Sequence, residues 1–179
     1  MKKIRFSRYL NFENTITGPG IDTVAGQDLL DIARANKLEI VDAVLAMEYN
    51  LSVIIGHYFY PSKTEKKDAF MSLVVGSDWC SFSAKRKLVN HIIKETKILE
   101  NFHGIEPGKF DKLLGNAMRY RNAFTHGTPS TDGKTWLQYY EARPIKKELT
   151  DEFLEQVKQE IGTALMQAHQ LAGLLGAFN

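Results

Sequence analysis

A mainly helical bundle with a minor β-hairpin is the fold class this 179-residue sequence predicts. Three observations carry it. Apolar residues recur at three- and four-residue spacing over 38–59 and again over 154–175, the period of a helix burying one face. Ser, Thr or Asn stands ahead of these runs, the residue types that accept hydrogen bonds from a helix's first free N–H groups. The turn-rich stretch Gly127 to Gly133 is followed by a run of strand composition, Thr135 to Tyr140.

The elements follow in order. Lys3 to Tyr9 is compatible with an extended segment, and Asp28 to Ala35 with a short helical piece. Asn36 then offers an N-cap with Glu39 three residues on, a capping box. From Leu38 the stripe Val41, Val44, Leu45, Leu51, Ile54, Ile55, Tyr58 and Phe59 makes a long helix, which Pro61 ends. Ser62 with Glu65 forms a second capping box, opening a shorter helix towards Val75 that stops at Gly76. Ser83 caps a helix running through Leu88, Ile92 and Leu99. Lys109 to His126 forms the next, with Phe110, Leu113, Leu114, Ala117 and Phe124 on its apolar side. Arg143 to Leu149 pairs with Thr135 to Tyr140 as a hairpin, and Pro144 confines the returning strand to a sheet edge. Thr150, followed by Asp151 and Glu152, starts the last helix, striped by Leu154, Val157, Ile161, Leu165, Ala168, Leu171 and Leu175. No repeat or domain boundary interrupts this pattern. The reading is one domain over 1–179, a bundle over about 36–175 with an N-terminal extension.

Composition removes several function classes. Lys and Arg number 23 against 21 Asp and Glu, a net charge of +2, so neither a uniformly basic coat nor an acidic tail is present. The charge is uneven: residues 61–121 hold 12 basic and 7 acidic groups, whereas 9–60 hold 2 and 7. A basic middle suits a polyanion, and it equally suits a set of solvated helix faces. The single cysteine, Cys80, excludes an internal disulfide framework and any CxxC arrangement, and beside Trp79 it reads as a small packed hydrophobe. Leu51 to Tyr60 is too short to span a bilayer, and no apolar segment follows the basic N-terminus. A cytoplasmic protein without a membrane partner is expected.

The motifs of common cofactor and hydrolase sites are missing. The five histidines (His57, His91, His103, His126 and His169) include no HExxH and no pair at helical ligand spacing. No calcium loop, phosphate-binding glycine loop or GxSxG elbow occurs, so no metal or cofactor is expected. What remains is an arginine followed by four residues and a histidine, found twice: Arg86 to His91 and Arg121 to His126. Context separates them. Arg86 and His91 lie within a helix whose neighbours Lys85 and Lys87 look like solvated surface. Arg121 and His126 lie at the end of an amphipathic helix, with Asn122 beside the arginine and Gly127 directly after the histidine.

The stretch MRYRNAFTHG, with Arg121, Asn122 and His126, resembles the Rx4–6H signature of the HEPN superfamily, whose members often place Asn directly after the Arg. The order of elements is similar too: a long apolar helix, a middle helix at FSAKRKLVNHIIKE, the motif helix, and a final long helix. The resemblance implies a helical bundle, usually dimeric, and for many members a metal-independent endoribonuclease. It implies RNA as substrate, roles in toxin–antitoxin pairs, phage defence or RNA processing, and an antitoxin or other protein as a possible partner. Other members are non-catalytic binding or assembly modules. In one branch a Tyr two residues after the His is modified by the antitoxin; here that position is Thr128, so that regulation does not carry over.

The residue types suit such chemistry. RNA supplies its own 2′-OH nucleophile, so an enzyme need only move protons and hold the phosphate. Arg121 can grip two phosphate oxygens, His126 can take or give a proton, and Asn122 can orient His126 or bond substrate. The alternative is an Arg121 paired with a core acid and a His126 that only caps its helix. Glu48 is the fourth candidate: it lies seven residues after Val41 and seven before Ile55, on the same face as both. A carboxylate in an apolar stripe needs a partner, and Arg121, seven after Leu114, is the expected one. The resemblance supports this, since HEPN proteins often carry a polar residue on an early helix facing the motif. The alternative is a boundary residue reaching water.

Five helical residues turn the chain by about 500°, leaving Arg121 and His126 about 140° apart. A helix loosened at Gly127 would partly close that angle. A second copy related by a two-fold axis would close it completely, bringing His126 of one chain near Arg121 or His126 of the other.

Overall fold

The computed structural model describes residues 24–100, 102, 104–132 and 134–177. The extended segment expected at Lys3 to Tyr9 lies outside them. The chain is mainly helical, with a small three-stranded antiparallel sheet.

Helix α1 (Val24–Phe59) runs unbroken for 36 residues. The break expected at Asn36 does not occur. Leu30 and Ala33 are buried and extend the stripe of Ile40, Val44, Met47, Leu51 and Ile54, so burial continues straight through the junction. Asn36 caps nothing; its Nδ2 donates to the carbonyl of Ile32, one turn back, at 2.9 Å. Helix α1 stops at Phe59, two residues ahead of Pro61, as the ring of a proline requires.

Helix α2 (Glu65–Phe70) is capped by Thr64, not Ser62; the Thr64 hydroxyl accepts from the Lys67 N–H. The chain then widens into a π-helical turn, Met71–Val75, closed at Gly76, whose N–H donates to the Met71 carbonyl at 2.8 Å. This turn lies hard against α1. A Cβ on Gly56 would come within 2.3 Å of the Met71 sulfur, so a larger residue there would have to displace the flexible Met71 side chain. Helix α3 (Phe82–Thr96) is capped by Ser81, two residues before the expected Ser83. It ends where Lys97 takes a left-handed conformation at φ 51°, so Leu99 lies beyond the helix while still packing on the core.

Helix α4 (Pro107–His126) opens with proline at its first position, where the missing N–H removes nothing. Helix α5 (Asp151–Leu174) starts at Thr150, whose hydroxyl accepts from the Phe153 N–H as the sequence indicates. Its buried residues Leu154, Val157, Ile161, Ala168 and Leu171 pack chiefly on α1 and α4.

Between α4 and α5 the strands β1 (Thr128–Thr131), β2 (Thr135–Glu141) and β3 (Arg143–Glu148) form a meander in the order β1-β2-β3. The hairpin is present, with Trp136 opposite Glu148 and Tyr140 opposite Pro144 on the edge strand β3. The turn-rich stretch before it is not only a loop, because Thr128 to Thr131 pairs with Gln138 to Thr135. Burial of Thr131 and a hydrogen bond from Gln138 to Ser130 hold this strand, and Pro129 is tolerated because β1 is also an edge. Leu137 carries the sheet into the core.

Candidate functional site

Three helices converge on one carboxylate. Glu48 of α1 lies among the buried residues Val44, Met47, Leu51 and Ser52, with its side chain 19% exposed. Its Oε2 faces the Arg121 guanidinium of α4 at 3.5 Å, and its Oε1 accepts from the Lys85 ammonium of α3 at 2.8 Å. The expected pairing of Glu48 with Arg121 is thus present in the geometry. Two cations on one acid leave a local excess of one positive charge, directed towards the more exposed partner, Arg121, whose side chain is 34% exposed against 9% for Lys85.

Lys85 is the residue that sequence reasoning misplaced. It is not solvated surface; it is buried. The signal was available: Lys85 lies three residues after Phe82 and four before Val89, on the buried stripe of α3. An ammonium at such a position must find an acid.

Lys37 was also missed. Its Nζ donates to the carbonyl of Thr125 at 3.1 Å, placing a cation at the C-terminal turn of α4, where free carbonyls concentrate negative potential. Burial lowers the Lys37 pKa from its ordinary value. Together Lys37 and Glu48 tie α1 to the side of α4 that carries Arg121 and Thr125.

Asn122 and His126 stand apart from this cluster. Both are exposed, and neither forms a side-chain hydrogen bond or ion pair with another described residue. Gly127 does not loosen the helix. Its N–H donates to the Ala123 carbonyl at 2.8 Å, an ordinary i to i−4 bond, and its φ of −77° is not left-handed. Glycine is required for space instead: a Cβ would lie 2.2 Å from the Ala123 oxygen and 2.8 Å from Leu137 Cδ1. With α4 regular to His126, the separation of about 140° around the axis is retained. Arg121 faces α1, and His126 faces away from it. Within one chain, the four sequence-derived residues form one joined pair, Glu48 and Arg121, and one outward pair, Asn122 and His126.

The other Arg-x4-His match has a different surrounding. Arg86 makes two bonds to Asp111, Nε to Oδ1 and Nη2 to Oδ2, each at 2.6 Å. Asn90 donates to the same carboxylate. The Arg86 guanidinium lies over Gly115, where a Cβ would meet Nη1 at 2.9 Å. The Arg86 hydrogen bond holds the Asp111 pKa below its ordinary value.

Among the described residues, no group of three or more His, Cys, Asp or Glu side chains is placed to hold a metal ion. No helix among them is long and apolar enough to cross a membrane. No family model matches the chain, and searches of curated proteins and of solved structures find no match.

Proposed function

We propose that the chain is a metal-independent endoribonuclease of the HEPN type, acting as a homodimer in which Arg121 of one protomer and His126 of the partner subunit address the same phosphate. The observation that carries this reading is the ion pair between Glu48 and Arg121: a guanidinium held in place at 3.5 Å by a shielded acid, yet one-third exposed and able to accept a second anion. Lys85 neutralises Glu48 from behind, so the charge presented at Arg121 stays positive towards phosphate.

The reaction needs no external nucleophile. The 2′-oxygen forms a bond to phosphorus, the bond from phosphorus to the 5′-oxygen breaks, and a cyclic phosphate and a 5′-OH result. One proton leaves the 2′-OH and one reaches the 5′-oxygen; exposed His126 serves one transfer and water the other. Arg121 stabilises the charge that grows on the non-bridging oxygens. Asn122, four residues before His126 and on its side of α4, orients the imidazole or the substrate. Leu45 and Tyr49 of α1, 48% and 67% exposed and one turn apart on the same side of Glu48, offer a second copy an apolar contact.

The second reading is a non-catalytic module that binds RNA or a protein through the same face. The pairing of Arg121 with an acid favours it to the extent that the pair is structural. Incubating the purified chain with single-stranded RNA in EDTA separates the two. Cleavage that Arg121→Ala and His126→Ala each abolish, while both variants remain folded, supports the enzyme. Unimpaired cleavage by both variants removes these residues from the mechanism. Dependence on added Mg²⁺ contradicts the chemistry.

A further inference from the structure

On the flank of α4 away from Glu48, a cavity of about 260 Å³ opens between α4, the strands β2 and β3, and the start of α5. This is near the low end of volumes that hold small ligands, about 300 Å³. Its lining combines three partly exposed rings, Tyr120, Tyr139 and Phe153, with Arg119, Lys147 and Glu141. We infer that this cavity takes one base of a single-stranded RNA next to the cleaved phosphate, stacked on Tyr139 beside Phe153, with Arg119 and Lys147 holding the adjoining phosphate. The inference rests on the ribonuclease reading above for its substrate class.

Helix geometry links the cavity to the proposed chemistry. Arg119, Asn122 and His126 stand at positions i, i+3 and i+7, so they form one row along α4. Of the two arginines closest to His126 on α4, the one that shares its side is therefore Arg119, not Arg121. A nucleotide seated against Arg119 lies along the row that leads to His126.

The walls are held in place. Glu160 of α5 accepts from Asn116 at 2.7 Å, from the Tyr120 hydroxyl at 3.2 Å and from Gln156 at 3.0 Å. Asn116 in turn accepts from Arg119, which fixes that guanidinium at the rim. Tyr120 meets the Phe153 ring edge-on at 6.4 Å, and the Lys147 ammonium sits 4.6 Å from the Phe153 centroid. Tyr139 and Glu141 alternate on the same face of β2 as buried Leu137, which aims both at α4. Rings stack on any base, two cations suit a phosphate, and Glu141 can accept from a base's amino or imino hydrogens. An acidic peptide would gain nothing from Glu141, whereas a nucleotide uses all three elements.

The test is equilibrium binding of a fluorescent 2′-O-methyl RNA oligonucleotide, which lacks the nucleophile, to the full chain. Tyr139→Ala and Lys147→Ala should each weaken binding, Tyr139→Ala by about tenfold, the usual scale for losing one stacked base. Tyr139→Phe should bind like wild type, and so should Trp79→Ala, a change at a distant exposed ring. Weakened binding by these variants in a chain that cleaves no RNA would uphold the cavity and refute the ribonuclease reading. Unchanged oligonucleotide affinity in both Tyr139→Ala and Lys147→Ala, or no binding by wild type, would overturn the cavity assignment, even with cleavage intact.

Discussion

Two stretches of this molecule share one spacing and differ in everything around it. Arg86 and His91 on α3, and Arg121 and His126 on α4, are each an arginine and a histidine five residues apart on a regular helix. Arg86 uses two nitrogens in a planar fork on Asp111, with both bonds at 2.6 Å, and Asn90 adds a third bond to that acid. Arg121 makes a single 3.5 Å approach to an acid already bonded to Lys85 at 2.8 Å. Arg86 spends its planar fork on Asp111, with Nη1 packed over Gly115; Arg121 reaches its acid through Nη1 alone and shares that acid with a shorter competitor. On the proposed ribonuclease reading, what separates a structural from a functional arginine is how completely the acid is committed.

The largest expected contrast is in catalysis. Arg121→Ala should lower RNA cleavage in EDTA by about 10²–10³-fold, the range for losing a group that stabilises transition-state charge. Arg86→Ala should leave the rate within about threefold in a folded sample, as for a residue outside the site. Equal losses in the two variants would erase the distinction.

Stability should rank the two acids in the opposite sense to their visible bond counts. Glu48→Ala strands the buried Lys85 ammonium and should destabilise by about 3–5 kcal/mol in urea melts, with Glu48→Gln costing less. Asp111→Ala, at a pair whose side chains are 27% and 36% exposed, should cost about 1 kcal/mol. If both Glu48 variants fell within about 0.5 kcal/mol of wild type, Glu48 would be a surface residue.

Smaller effects appear with pH. The Asp111 pKa is lowered in the fold by Arg86, so its contribution is complete above the ordinary carboxylate value of about 3.9 and is lost as pH falls through the lower folded value. Acid melts of Asp111→Asn should lack that step. Tyr120 behaves with the opposite sign. Burial, with Glu160 beside it, pushes its pKa up to about 12, so stability is held below pH 10 and lost as pH rises towards 12. Tyr120→Phe should flatten the alkaline loss. The smallest effect is His91→Ala: exposed on α3, it should change stability by less than about 0.5 kcal/mol.

Much of this was legible in the sequence where one side chain answers one local rule. Thr150 caps α5, Pro61 ends α1, and Pro144 marks an edge strand. Glu48 was readable because a carboxylate in an apolar stripe demands a cation. The misses share a physical cause. Asn36 matches a capping box, but a cap forms only where the helix must start, and the buried stripe from Leu30 to Ile40 overrides it. Lys85 was hidden by its neighbours Arg86 and Lys87, which suggest a charged surface although helical spacing puts it on the inner face. Strand β1 was obscured because Pro129 and the turn residues around it are disfavoured in strands, and only pairing with β2 makes them one. Neither the Glu160 network nor the cavity beside it was visible, since both join residues from elements far apart in the chain.

The central claim is that Arg121 and His126, turned away from each other on one helix, act together only across a dimer. Subunit mixing tests it most directly. Arg121→Ala and His126→Ala proteins, each inactive alone, are mixed, exchanged and assayed on RNA in EDTA, with heterodimers counted by native mass spectrometry. A composite site leaves each heterodimer one intact Arg121–His126 combination, so a random mixture should regain about one quarter of the wild-type rate. No regained cleavage with heterodimers present, or full cleavage by a wild-type monomer, would contradict it.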